Sequence, residues 1–178
     1  DADIDQVAAA TAVTGYANAG QVCISTQRVL ASEKVYGDFI DALTPLVEAL
    51  STGNPIESNV KMGPMIRESD AERVSEWIGQ AVNSGARLVT GGGRDGQLHE
   101  PTLVADVDPD MRLSCDEVFG PTVGVSKFKD IDEAINMANK TNYGLSAAGF
   151  TQNINWAMAF AQRVHSGNIH VNWGTQWR

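Results

Sequence analysis

Cys23 lies in the stretch Asn18-Ala19-Gly20-Gln21-Val22-Cys23-Ile24-Ser25, polar and glycine-bearing, between a helical pattern and a strand pattern. A thiol in that setting has two readings. Cysteine is commonly a small, inert hydrophobe. In a turn, where glycine leaves the backbone free to approach a ligand, it stands where binding and catalytic groups collect. The chemistry would then be nucleophilic, because a thiolate attacks electrophilic carbon and leaves readily from an acyl intermediate. A second stretch, Asp116-Glu117-Val118-Phe119-Gly120-Pro121, sets a carboxylate two residues from an aromatic ring, ahead of a Gly-Pro turn. It suits gripping a flat, hydroxyl-bearing ligand, and it reads equally as a loop that feeds a strand.

Taken together the two stretches gain meaning. Asn18-Ala19-Gly20-Gln21-Val22-Cys23 resembles the nucleophile motif of aldehyde dehydrogenases, and Glu117-Val118-Phe119-Gly120-Pro121 resembles their second signature. Tyr143-Gly144-Leu145-Ser146-Ala147 and Gly167-Asn168-Ile169-His170-Val171-Asn172 resemble later landmarks of that family, in the same order. The resemblance runs from Asp1 to Arg178.

It implies an NAD(P)-dependent oxidation of an aldehyde to an acid. Cys23 would add to the carbonyl to give a thiohemiacetal, hydride would pass to the nicotinamide, and water would release the thioester. The backbone N–H of Cys23 would help hold the oxyanion. Glu117 would bind the nicotinamide ribose hydroxyls of NAD or NADP, and Phe119 would pack near the nicotinamide. Asn172 would have a supporting role. Arg178 follows the last strand, where the family's substrate pocket forms, and resembles branches that handle small anionic aldehydes. A guanidinium there would grip carboxylate or phosphate, with His170 assisting. A surface arginine at a chain end is the equal alternative.

The resemblance also implies missing parts. The general-base Glu, the oxyanion-hole Asn and the dinucleotide-binding domain belong upstream, and no Gly-x-Gly-x-x-Gly follows a strand here. Gly91-Gly92-Gly93-Arg94-Asp95-Gly96 leads into a strand, so no helix N-terminus follows it to hold phosphate. The expectation is therefore one cysteine-bearing catalytic domain over 1–178, truncated at both ends, inactive alone, from a homodimeric or homotetrameric parent. A CoA-acylating semialdehyde dehydrogenase, or a non-catalytic assembly or binding domain, are the alternatives.

Elements must position these groups. Asp3 suits a helix cap, with Ile4, Val7, Ala8 and Thr11 at helical spacing and Gly15 or Gly20 ending the element. A strand is expected over 27–31, then a helix over 34–50 that Pro45 should kink or divide. Residues 51–66 read as a long connection, and 69–83 as a helix with Val74, Trp77, Ile78 and Val82 inward, capped by Gly85. Strands are expected over 86–90, 102–107, 122–128, 147–150 and 169–172. Helices are expected over 130–139 and 153–165, with Trp156, Met158 and Phe160 as a core stripe. This alternation predicts an α/β fold, a sheet covered by helices on both faces, and the resemblance implies a three-layer αβα sheet domain of the aldehyde dehydrogenase catalytic type.

Composition sets the outer limits. Of 178 residues, 43% are hydrophobic and 20% charged, as in globular domains. A net charge of −9 argues against a nucleic-acid partner. No apolar run would span a bilayer and no signal pattern opens the chain. Two distant cysteines suit reduced thiols in a cytoplasmic setting, with Cys115 a structural or incidental thiol. His99, His165 and His170 lack the companions a metal site needs.

Overall fold

Asp3 starts the first helix by accepting the Gln6 N–H on its carboxylate at 3.1 Å, the bond that satisfies an otherwise orphaned first-turn donor. The computed structural model describes residues 1–176. Its elements in chain order are α1 (Ile4–Tyr16), β1 (Arg28–Ser32), α2 (Tyr36–Glu48), α3 (Glu68–Asn83) and β2 (Arg87–Thr90). Then come β3 (Arg94–Asp95), β4 (Leu98–His99), β5 (Thr102–Ala105), α4 (Arg112–Cys115) and β6 (Thr122–Phe128). The chain continues through α5 (Ile131–Asn139), β7 (Ser146–Gly149), α6 (Ile154–Arg163) and β8 (Asn168–Val171).

The main sheet has the order β1-β6-β5-β2. β6 runs parallel to both neighbours, with Arg28 opposite Gly124 and Thr102 opposite Thr122, and β2 closes the edge antiparallel to β5. Helices flank this sheet, as the alternation of patterns requires. β5 and most of β6 are buried, which explains why they read as continuous β-branched and apolar runs. β3 and β4 form a separate hairpin, and β7 and β8 a separate parallel pair.

Core packing is uneven along the chain. The apolar cluster runs from Ala8 to Val125, with Phe39, Leu43, Val74, Leu103 and Val123 fully enclosed. Past β6, Ile135 and Val164 are the buried apolar side chains among the described residues.

Several expectations are corrected. Pro45 does not divide α2, which runs unbroken to Glu48. Proline lies on the exposed side in the last turns, where the carbonyl it leaves unpaired, that of exposed Asp41, can meet water. Val82 turns outward, and Ala71, Val74, Trp77, Ile78 and Ala81 make the buried face of α3. β5 stops at Ala105 because Asp106 takes φ +56°, a left-handed conformation that cannot continue a strand. The α6 stripe is not core: Trp156 and Met158 are about half exposed, and no residue of α6 is buried. Periodicity marks an apolar side, but in the described residues little lies against it.

Candidate active site

α1 ends where Tyr16 buries its ring and donates its hydroxyl to the Thr102 carbonyl at 2.9 Å. Burial pushes that phenol's pKa up, so it stays a donor. The chain then reverses through Asn18, Ala19 and Gly20, all at positive φ (52°, 55° and 67°). Asn18 and Gln21 lock the reversal from both sides. The Asn18 amide donates to the Gln21 carbonyl at 3.2 Å, and the Gln21 amide returns a bond to the Asn18 carbonyl at 3.1 Å. The oxygen of the Gln21 side chain also accepts the Ile66 N–H at 2.9 Å, tying the 51–66 connection to the turn.

Cys23 follows in a tight turn closed by the Ser25 N–H on the Val22 carbonyl at 2.9 Å, and its thiol is exposed. Hydroxyls fix this turn from behind. Ser25 reaches the Thr14 and Gly15 carbonyls, both at 3.1 Å. Thr14, Thr26 and Thr175 stand in line at 2.7 and 2.8 Å, with Thr14 bonded to the Ala10 carbonyl and Thr175 to the Ile24 carbonyl. Gln176 adds a bond to the Thr14 carbonyl at 2.8 Å. The segment after β8 is thereby pinned to the thiol loop. The pairings of Thr26 and Thr175 carry no sequence signal, since their partners lie 12 to 151 residues away.

Glu117 and Phe119 point outward on either side of fully buried Val118. Phe119 holds φ +47° and its ring is 40% exposed. The turn is anchored twice. Arg112 stacks on Trp77 at 4.2 Å and bonds the Asp116 carboxylate at 2.9 Å. Gln27, just before β1, accepts the Val118 N–H at 2.7 Å and donates to the carbonyls of Asp116 at 2.7 Å and Leu113 at 3.3 Å. The Glu117 N–H donates to the Tyr143 hydroxyl at 3.4 Å. Gly20 brings the two motifs together, because a Cβ on it would overlap the Gly120 carbonyl.

Glu117 and Phe119 are both exposed, and among the described residues the Glu117 carboxylate has no hydrogen bond or ion pair. A nicotinamide riboside, with vicinal hydroxyl donors and a flat ring, fits that pair of groups chemically. Glu117 would take the hydroxyls and Phe119 would lie against the ring.

Other candidates fall elsewhere. His170 is half-buried in β8, opposite Ala148. Arg178 lies outside the described residues. Asn172, at φ +55°, grips the backbone of Thr151 with both ends of its amide, at 2.9 and 3.0 Å, a structural task. Cys115 is a half-buried free thiol facing the Asp110 carbonyl at 3.8 Å. Among the described residues no group of three His, Cys, Asp or Glu could hold a metal ion, and no helix is long and apolar enough to cross a membrane.

The fold is an α/β domain in which the turn before the exposed Cys23 packs on the turn that carries Glu117 and Phe119. The chain matches the aldehyde dehydrogenase family over residues 1–178 and belongs to that family. It is 40% identical to the 3-sulfolactaldehyde dehydrogenase of Priestia aryabhattai, over 100% of this chain and 37% of that protein. The crystal structure of lactaldehyde dehydrogenase from Escherichia coli superposes with TM-score 0.95 at 35% identity, over 100% of this chain and 38% of that one. The NADP-dependent glyceraldehyde-3-phosphate dehydrogenase from Bacillus halodurans C-125, complexed with NADP, gives 0.95 at 34% identity, over 99% and 37%. The chain thus spans little more than a third of the length of these relatives.

Proposed function

We propose that the protein carrying this chain is an NAD(P)-dependent aldehyde dehydrogenase with Cys23 as its nucleophile. The observation that supports this most is the packing of the Cys23 turn on the Glu117–Phe119 turn through Gly20. An exposed thiol and groups suited to a nicotinamide riboside would then belong to one site. Residues 1–178 would then be the cysteine-bearing catalytic domain, with most cofactor contacts made by a domain outside this chain.

The thiolate of Cys23 attacks the aldehyde carbon, and the carbonyl oxygen becomes an oxyanion within reach of the Cys23 N–H. A nicotinamide held by Glu117 and Phe119 would supply the acceptor for the hydride lost from that carbon. Glu117 would hold the ribose hydroxyls and Phe119 would lie against the ring, which is positional work. A thioester on Cys23 remains, and water cleaves it. For substrate, Arg178 and His170 would favour small anionic aldehydes, in keeping with the relatives named for sulfolactaldehyde and glyceraldehyde-3-phosphate. Free thiols suit a cytoplasmic enzyme, and homodimeric or homotetrameric assembly rests on the family resemblance.

The test uses the full-length protein with a panel of small aldehydes and both cofactors. Cofactor reduction that Cys23→Ser abolishes, with an acyl mass increment trapped on the peptide containing Cys23, is the expected result. Turnover that survives Cys23→Ser defeats the proposal. The 178-residue chain alone is expected to show no turnover.

A further inference from the structure

We propose that Gln27 is a positioning residue that sets the backbone of Glu117, and through it the seat of the nicotinamide ribose. The proposal rests on the reading of Glu117 as the ribose ligand. Its ground is geometric. The Gln27 amide holds the Asp116 carbonyl with its nitrogen and the Val118 N–H with its oxygen, both at 2.7 Å. Those two groups belong to the peptide planes on either side of Glu117. With both planes fixed, φ and ψ of Glu117 are fixed too, and its side-chain torsions are the freedom that remains. The second amide proton reaches the Leu113 carbonyl at 3.3 Å, so the donor side of the amide is used twice.

Gln27 is itself immobilised. Its own carbonyl accepts the Gly124 N–H of β6 at 2.9 Å, which seats it on the main sheet. It also stands four residues after Cys23 on the same continuous segment. One residue thus fixes the carboxylate turn relative to the strand that leads away from the thiol turn. The job needs a donor and an acceptor at this reach. Asparagine is one methylene shorter, an ionised glutamate cannot donate, and lysine and arginine cannot accept.

The experiment compares Gln27→Ala, Gln27→Glu and Glu117→Ala with the wild type in the full-length protein. It reads cofactor KM and kcat, and amide hydrogen exchange in peptides spanning 116–119 and 122–126. Gln27→Ala is expected to raise cofactor KM about three- to tenfold, the worth of one or two modest hydrogen bonds. Exchange over 116–119 should quicken while the β6 peptide stays as in wild type. Loss of kcat at unchanged KM, or faster exchange in both peptides, marks a general structural role and overturns the proposal.

Gln27→Glu keeps size and acceptor, so it serves if the alanine variant does not fold. Its cofactor KM is expected to rise as in Gln27→Ala, because an ionised carboxylate keeps the acceptor for the Val118 N–H but cannot donate to the two carbonyls. A KM unchanged from wild type overturns the proposal. If Glu117→Ala raises KM and Gln27→Ala does not, Gln27 fails and the ribose reading stands. If Glu117→Ala leaves KM unchanged, the ribose reading falls and takes this proposal with it.

Discussion

Gly20 packs its α-carbon against the carbonyl of Gly120, and this contact joins the thiol turn to the carboxylate turn. Conformation alone does not demand glycine there, since Ala19 next to it holds φ +55° with a side chain. Close approach does. Gly20→Ala is expected to destabilise by about 2–4 kcal/mol, a left-handed penalty of roughly 1 plus an overpacking cost of roughly 1–3. Gly96→Ala isolates the first part, because Gly96 has φ +57° and no atom within 4 Å of an added Cβ. It should cost about 1 kcal/mol. Urea midpoints of the two variants check the pair, and equal costs would show that the contact contributes nothing.

How far the sequence foretells this arrangement depends on the range of each interaction. Asp3 and Asp130 announce their helices because a cap is a local event, and both carboxylates accept the N–H three residues on. Gly85 likewise ends α3 with a left-handed residue. The two signature stretches are legible because glycine and the functional side chains crowd together in sequence. Gln27 and Thr175 are not legible, as their partners lie 86 to 151 residues away and no period marks them. The β3–β4 hairpin and α4 are too short for any periodicity to show. The α6 stripe misled because a hydrophobic face tells which side is apolar, not what covers it.

Stability should fall in mild acid because of His99. The ring is 1% exposed on β4, with Nδ1 on the Glu100 carbonyl and Nε2 unpartnered. Burial pulls its pKa below the ordinary value. The unfolded chain therefore takes up a proton first, so this contribution is complete above about 6.5 and is lost as pH falls through the lower folded value. His99→Leu should flatten the unfolding midpoint between about pH 7 and 5 relative to wild type. An unchanged slope would remove His99 as the cause. Asp106 acts lower on the scale. The Lys127 hydrogen bond depresses its carboxyl pKa, so its contribution holds above about 3.9 and is lost as pH falls through the depressed value.

The two thiols give an internal comparison. Cys23 is exposed in its turn, whereas Cys115 is half-buried. Brief iodoacetamide treatment followed by peptide mapping should label Cys23 several-fold faster, roughly in proportion to access. Preferential labelling of Cys115 would contradict the placement of the nucleophile.

Substrate charge is tested at Arg178 in the full-length protein. Arg178→Ala is expected to lower kcat/KM for carboxylated, sulfonated or phosphorylated aldehydes by roughly ten- to a hundredfold, the worth of a charged hydrogen bond. Neutral aldehydes of similar size should be nearly unaffected. Arg178→Lys should restore part of the loss, since an ammonium keeps charge but not the two-pronged geometry. Equal losses for both aldehyde classes would point to pocket damage and end the anion-anchor idea.

The apolar cluster that stops at Val125 has a consequence for cooperativity. Among the described residues, α5 to β8 are joined to the rest by the Lys140–Asp110 ion pair and by hydrogen bonds, among them Arg28 to the Met137 carbonyl and the links through Ser146 and Thr175. Such links yield to water one at a time, while a shared core yields all at once. The last quarter of the chain is therefore expected to show faster amide exchange than the sheet that holds Cys23 and Gln27. That region is expected to open locally while β1, β5 and β6 stay folded. Thr175 sits on the seam, and loosening there frees the thiol turn before the sheet beneath it is disturbed.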